Sequence, residues 1–307
     1  MNKLKVGVIG VGSLGSIHAQ IFAELADVQL VGVADINANQ AKTAAQRCRC
    51  LYFPDYRELL ALVEAASIVV PTNLHHPIAR DFLEHNIHLL VEKPFTTTVA
   101  EADELLSIAG ERKLVLQVGH VERFNAAVQA VQELPGNPKF IECHRLGPFA
   151  ARVKDVGVVL DLMIHDIDIV LGLVNSPVAS IQAVGVNVLT EHEDIANARI
   201  NFQNGAVANI TASRISPKSM RKIRLFQENA YISLDYEAQE AEIYEKQDNK
   251  IVRKKINIKK ERPLQKELRA FVECVREKKR PLVSAEEGRD ALKVAVEILE
   301  KIKLRHD

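Results

Sequence analysis

Over the first 120 residues, short apolar runs alternate with longer amphipathic ones. Leu4 to Ile9, Gln29 to Ala34, Ser67 to Val70, Ile87 to Val91 and Leu114 to Val118 are near-continuous apolar runs of strand length. Such runs belong to strands covered on both faces. Between them, Ile17 to Leu25, Asn39 to Arg47, Asp55 to Glu64, Ile78 to His85 and Val99 to Arg112 carry helical spacing, and Tyr52-Phe53-Pro54 reads as a turn. The alternation predicts an α/β fold, a doubly wound parallel sheet over residues 1–119 with ligands beyond the carboxyl ends of its strands.

The second half reads differently. Strands are predicted at Lys139 to Leu146, Val178 to Leu189, Ala198 to Phe202, Val207 to Ala212, Arg224 to Gln227, Tyr231 to Tyr236, Glu242 to Tyr244 and Ile251 to Ile258, with a hairpin signal at Asn204-Gly205. Residues 120–307 are therefore expected to form an α+β domain on a large, open-faced, mostly antiparallel sheet. Helices over Leu264 to Lys278 and over 283–305 are expected to return toward the first domain. Val158 to Leu171 is helical and apolar almost all round, so it should be buried. Its polar exceptions Asp161, His165 and Asp168 fall at i, i+4 and i+7, close to one stripe. Burying such groups is costly unless they are paired or face a wet site. The stripe can be a buried polar network, a proton-handling His165 held by Asp161, or a metal triad. No His-x-x-x-His or cysteine set supports a metal.

Charge and composition narrow the class. The 307 residues contain 47% hydrophobic and 26% charged residues, and Lys+Arg 40 balances Asp+Glu 40. No global field favours nucleic acid or a membrane surface. Lys250 to Arg280 is rich in cations, but Glu261, Glu267, Glu273 and Glu277 interrupt it. Four cysteines without a CxxC spacing read as reduced thiols. No leader pattern and no apolar run of ~20 residues is present, so a soluble cytoplasmic protein is expected.

The chemistry begins at Gly10-Val11-Gly12-Ser13-Leu14-Gly15, which follows a strand and opens a helix. In that context Gly10 serves a tight turn, Gly12 close approach to a pyrophosphate and Gly15 helix–strand packing, while the helix N-terminus offers N–H groups. Asp35 ends the second strand, twenty residues after Gly15, where a carboxylate meets a ribose 2′-hydroxyl. It would repel a 2′-phosphate, so NAD is expected over NADP, although Lys42 and Arg47 lie farther along the chain. Two more strand ends follow, Pro71–His76 and Glu92-Lys93-Pro94. Pro94 restrains Lys93 to extended conformations, aiming its amine from a rigid strand end. Glu92 reads as the support of Lys93, and a cis Lys93–Pro94 bond is an added expectation.

Gly10-x-Gly12-x-x-Gly15-x-x-His18, Asp35, Thr72-Asn73-Leu74-His75, Glu92-Lys93-Pro94 and Gly157-x-x-x-Asp161-x-x-x-His165-x-x-Asp168 together resemble the glucose–fructose oxidoreductase, inositol dehydrogenase and MocA family along nearly the whole chain. The resemblance implies Lys93, Asp161 and His165 as the catalytic set, and a nicotinamide dinucleotide held by Gly10, Gly12, Ser13, Leu14, Gly15, Asp35, Thr72, Asn73, His75, Glu92 and Lys93. It also implies homodimers or homotetramers through the second-domain sheet. Gly119-His120-Val121-Glu122-Arg123-Phe124-Asn125 and Arg145-Leu146-Gly147-Pro148-Phe149 look like members that oxidise the 3-hydroxyl of UDP-N-acetylglucosamine, where Ala126 replaces a usual proline. Lys93, His120, Arg123, Arg145, Asp161 and His165 are then the substrate-binding candidates, with no metal. A dehydrogenase of a free polyol such as inositol, or a dinucleotide-binding regulator without turnover, is the alternative. On residue chemistry His165 suits the base, since imidazole titrates near ~6.5, whereas a lysine at ~10.4 needs a large depression. His18 and His76 are read as local packing.

Overall fold

Residues 2–149, 156–248 and 250–303 are described by the computed structural model. Contacts divide the chain into two units, 1–121 with 262–289 and 122–261 with 290–307. Among the described residues, the first unit holds a six-stranded sheet in the order β3-β2-β1-β4-β5-β6. Its elements are β1 (Leu4–Ile9), α1 (Ser13–Glu24), β2 (Val28–Ala34), α2 (Ala38–Cys48), β3 (Leu51–Phe53), β4 (Ala65–Ile68), α3 (His75–Glu84), β5 (His88–Glu92), α4 (Val99–Arg112) and β6 (Leu116–Gly119). All its strand pairs are parallel. The order reverses between β1 and β4, the point at which such sheets bind ligands.

The apolar runs explain the centre of this sheet: Val6, Val8, Ala65, Ile68, Leu89, Leu90 and Val91 are buried. Two local departures have clear causes. The segment read as a turn is an edge strand, β3, because Gly32 leaves room for the Phe53 ring, 2.7 Å from where a Cβ would stand. The helix expected over Asp55 to Glu64 is only a 3₁₀ turn at Tyr56–Leu59, started by the Asp55 carboxylate accepting the Arg57 N–H at 3.0 Å.

The second unit contains α5 (Ala126–Gln132), β7 (Phe140–Leu146), a π-helical turn at Val159–Met163, α6 (Ile164–Val174), β8 (Val178–Val186), β9 (Ile195–Phe202), β10 (Val207–Ser213), β11 (Met220–Phe226), β12 (Ala230–Asp235), β13 (Glu240–Gln247) and β14 (Lys250–Lys255). Its eight-stranded sheet runs β14-β13-β12-β11-β7-β10-β9-β8 among the described residues. Only β7 and β10 pair in parallel there; the other neighbours are antiparallel. In β9 every second residue, Ala196, Ala198, Ile200 and Phe202, is buried, the alternation of a sheet with one covered face. The Asn204-Gly205 hairpin is present, with Gly205 at φ +84°.

Both C-terminal helices were expected on the first unit, and the structure splits them. α7 (Pro263–Glu277) belongs there, burying Leu268, Phe271 and Val272 beside Phe22 and Val33. Deleting a buried aromatic such as Phe271 costs ~3–5 kcal/mol. From residue 290 onward, α8 (Ala285–Lys303) is part of the second unit, with Ala291, Ala295 and Ile298 in that unit's core. Residues 304 and 305 of the expected helix lie outside the described residues.

Candidate active site

In the first unit, the glycine loop is built as its spacing demands. Gly10 has φ +82°, and a Cβ there would sit 2.2 Å from the Val69 carbonyl oxygen. A Cβ on Gly15 would sit 1.9 Å from the Gly10 carbonyl oxygen. Gly12 differs. Its φ is −63°, open to any residue, and its Cβ would meet nothing within 4 Å. The protein's own packing therefore leaves this position open, as close approach of a ligand to the backbone needs. Gly12 caps α1 without a side-chain hydrogen bond, and Gly12, Ser13 and Leu14 are exposed. The first-turn N–H groups and helix dipole thus face outward, as pyrophosphate binding needs. Beside them lies a cavity of about 600 Å³ lined by Gly12, Ser13, Asn37, Gln40, Thr43 and Arg47. The residues present fit a dinucleotide.

Asp35 is tied into this loop. Its Oδ2 accepts the Val11 N–H and its Oδ1 the Asn37 N–H, both at 2.8 Å. The helix cap itself is Asn37, which accepts from Asn39 and Gln40. Arg47 lines the neighbouring cavity, whereas Lys42 does not.

The strand end at Glu92 is a polar cluster within the fold. The His18 ring contacts Ser67 Oγ at 2.9 Å through Nδ1 and Glu92 Oε1 at 3.4 Å through Nε2. Glu92 Oε2 accepts the Lys93 N–H at 3.2 Å. A Cβ on Gly119 would lie 2.8 Å from the Glu92 carboxylate, so this glycine makes the room in which the carboxylate sits. Glu92 and His18 are buried, and Lys93, which precedes a cis bond to Pro94, is partly exposed. His75, expected beside the cofactor, has both ring nitrogens against backbone: Nδ1 at 2.9 Å from the Pro94 oxygen and Nε2 at 2.9 Å from the Val70 oxygen. It cross-links the two strand ends. Burial lowers its pKa, outweighing the carbonyls that favour its charged form. Thr72 and Asn73 form the adjoining 3₁₀ turn, half-buried and exposed respectively. His76 contacts Glu104 at 3.0 Å.

His120 directly follows β6 and is 1% exposed. In the second unit, Arg123 and Arg145 were expected to reach substrate, and the structure engages both inside the unit. Arg145 donates through Nε to Asp166 Oδ2 at 2.8 Å, through Nη2 to Asp166 Oδ1 at 3.2 Å and through Nη1 to Glu122 Oε1 at 3.0 Å. Tyr236 donates to Asp166 Oδ1 at 3.0 Å, and the Arg145 guanidinium lies 5.0 Å from the Tyr236 ring centroid. Burial alone would lower the Arg145 pKa, yet Asp166 and Glu122 hold it well above its ordinary value. Burial and Asp166 push the Tyr236 phenol well up. Arg123 pairs with Asp168 at 3.4 Å, and its guanidinium fills the space a Cβ on Gly172 would need.

The polar stripe therefore divides. Asp161 and His165 are partly exposed, while Asp168 is buried with Arg123. The π turn at Val159–Met163 contributes, because its i→i+5 bonding departs from the helical period on which the stripe was drawn. Sequence reasoning missed Asp166, Glu122 and Tyr236. Asp166 lay between two stripe residues, and Tyr236 stands seventy positions away. Among the described residues, no group of three or more His, Cys, Asp or Glu is placed to hold a metal, and no helix is long and apolar enough to cross a membrane.

Comparison with known proteins agrees with this construction. A family model described as an oxidoreductase family with an NAD-binding Rossmann fold matches residues 4–120, and the GFO/IDH/MocA C-terminal domain model matches 126–233. The UDP-N-acetylglucosamine 3-dehydrogenase of Acidithiobacillus ferrooxidans is 43% identical over 237 residues, covering 77% of this chain and 75% of that protein. A solved structure of that enzyme superposes with a TM-score of 0.95 over 99% of each chain at 36% identity. The myo-inositol 2-dehydrogenase of Thermotoga maritima is 23% identical over 94% of this chain and 93% of its own.

Proposed function

The chain belongs to the GFO/IDH/MocA oxidoreductase family, and from that premise we propose that it oxidises the 3-hydroxyl of UDP-N-acetylglucosamine, or of a similar nucleotide-activated hexosamine, with NAD. The observation that carries this reading is the 43% identity to a UDP-N-acetylglucosamine 3-dehydrogenase, together with Lys93, Asp161 and His165 at the motif positions. The inositol dehydrogenases among the relatives favour a second reading, a free polyol as substrate.

The chemistry supplied by a bound nicotinamide dinucleotide is hydride acceptance. The chain's residues do the rest. The N–H groups at Gly12 to Gly15 hold the pyrophosphate, and Asp35 accepts from the adenosine ribose hydroxyls and selects NAD. Lys93 hydrogen-bonds the reacting oxygen and stabilises its developing negative charge. An imidazole nitrogen of His165 takes the hydroxyl proton, with Asp161 steadying the imidazolium that forms. Glu92, His18 and His75 keep the strand end behind Lys93 rigid. The uncovered face of the second-unit sheet, crossed by the stacked rings of Phe140, Phe226, Tyr231 and Tyr244, is the proposed homo-oligomer surface.

Following NAD reduction by absorbance with UDP-N-acetylglucosamine, free N-acetylglucosamine and myo-inositol tests the proposal. Turnover with the nucleotide sugar is expected, and Lys93→Ala and His165→Ala should each lower it ~10²–10⁴-fold. Turnover of inositol but not the nucleotide sugar overturns the substrate. Tight NAD binding without turnover of any sugar points instead to a dinucleotide-binding regulator.

A further inference from the structure

The turn that begins the helix of Asp161 and His165 is held by a loop distant in sequence. Helices leave their first N–H groups without internal partners. Here Val158 caps the π turn with no side-chain hydrogen bond. The partners come from Glu193, whose Oε1 accepts the Val159 N–H at 3.1 Å and whose backbone oxygen accepts the Val158 N–H at 3.0 Å. Its carboxylate occupies the position of a missing side chain: a Cβ on Gly157 would stand 1.9 Å from Glu193 Oε1. The Gly157 carbonyl in turn accepts the Asp161 N–H at 3.1 Å. Glu193 is thus linked to Asp161 through the Gly157–Val158 peptide, with one hydrogen bond on each side of it.

Glu193 is itself anchored. The neighbouring Asp194 Oδ2 accepts three successive N–H groups, from Val188, Leu189 and Thr190, at 2.8, 2.6 and 2.9 Å. Its Oδ1 accepts from Arg214 Nε at 2.7 Å, and Arg214 Nη1 donates to the Val156 oxygen at 2.7 Å. One network therefore grips residues 156–159 from both sides, and Asp161 and His165 follow within two turns. Glu193 is 8% exposed, and a hydrogen bond from a backbone N–H to a carboxylate is stronger than one between neutral groups.

We propose that Glu193 is a positioning residue that sets the place of the Asp161–His165 pair by capping their helix. Its effect on turnover rests on the dehydrogenase reading above; its effect on the geometry does not. The test labels the histidines with ¹⁵N and identifies the His165 ring resonances by their loss in His165→Gln. In Glu193→Ala, and separately in Gly157→Ala, those resonances should move while the His18 and His75 resonances stay in place. Glu193→Gln keeps an oxygen acceptor and should restore the wild-type positions. The double variant should match Glu193→Ala alone, because the new methyl enters space the carboxylate has left.

In turnover, kcat should fall ~10–10²-fold in Glu193→Ala, as expected of a misplacement of about 1 Å. KM for NAD should be unchanged, and the primary deuterium isotope effect on kcat should rise. Should Glu193→Ala fail to fold, Glu193→Asp, which keeps the charge but falls one methylene short, is read in the same way. Unmoved His165 resonances in a folded Glu193→Ala or Glu193→Asp protein overturn the proposal. Absence of sugar turnover in the wild type overturns only the substrate reading, leaving the resonance test to decide this one.

Discussion

Arg145→Met isolates the buried ion cluster of the second unit. Wild-type Arg145 makes three hydrogen bonds to two carboxylates, and the side chains of Arg145 and Asp166 are 5% and 0% exposed. Removing the cation leaves Asp166 with the Tyr236 hydroxyl, while Glu122 Oε2 keeps Asn125 Nδ2 at 3.2 Å. Breaking a buried pair from one side costs ~3–5 kcal/mol because a charge is left uncompensated. The surviving donors place this case at the lower end, about 3 kcal/mol. At ~2–4 °C per kcal/mol for a unit of this size, the second-unit transition should fall by roughly 6–12 °C.

Thermal unfolding of wild type and variant at neutral pH measures the deficit. A deficit below about 1 kcal/mol refutes the assignment. Unchanged stability with a more than tenfold rise in sugar KM, a loss above ~1.4 kcal/mol of binding, would instead make Arg145 the substrate ligand its sequence context implied.

The glycine loop offers a paired comparison. Gly15→Ala must displace the Gly10 carbonyl and should lower both the melting temperature and NAD affinity. Gly12→Ala meets nothing in the protein, so it should melt within about 1 kcal/mol of wild type while losing at least ~10-fold in NAD affinity by titration. His75 bears on acid stability: its pKa is lowered by burial, so the unfolded chain takes up its proton first as pH falls through ~6.5. That component of stability is complete above this pH and is lost below it, and His75→Gln should flatten the corresponding slope in denaturant titrations. Thr98→Ala breaks the capping box with Glu101 at the start of α4 and should cost ~1 kcal/mol by urea denaturation, with NAD affinity unchanged.

What the sequence determined by itself was local. Apolar runs specified five of the six parallel strands, because burial leaves few polar positions to vary; the exposed edge strand β3 carried no such run. The glycine hexad and Asp35 marked a dinucleotide loop, because a tight turn and close backbone approach exclude other residues. The Glu-Lys-Pro strand end and the Asp161–His165 spacing marked groups that a fold does not bury without a task. Only the tertiary structure decided which charges pair. Arg145 meets Asp166 from a strand 21 positions away, Tyr236 joins them from 70, and Glu193 reaches Val159 across 34. Such partners depend on which strands become neighbours in the eight-stranded sheet, and no local period carries that order. The glycines show the same division. Gly10 and Gly15 are legible from turn geometry, whereas Gly157 and Gly119 are glycine because a carboxylate from elsewhere in the chain takes the space of their missing side chain.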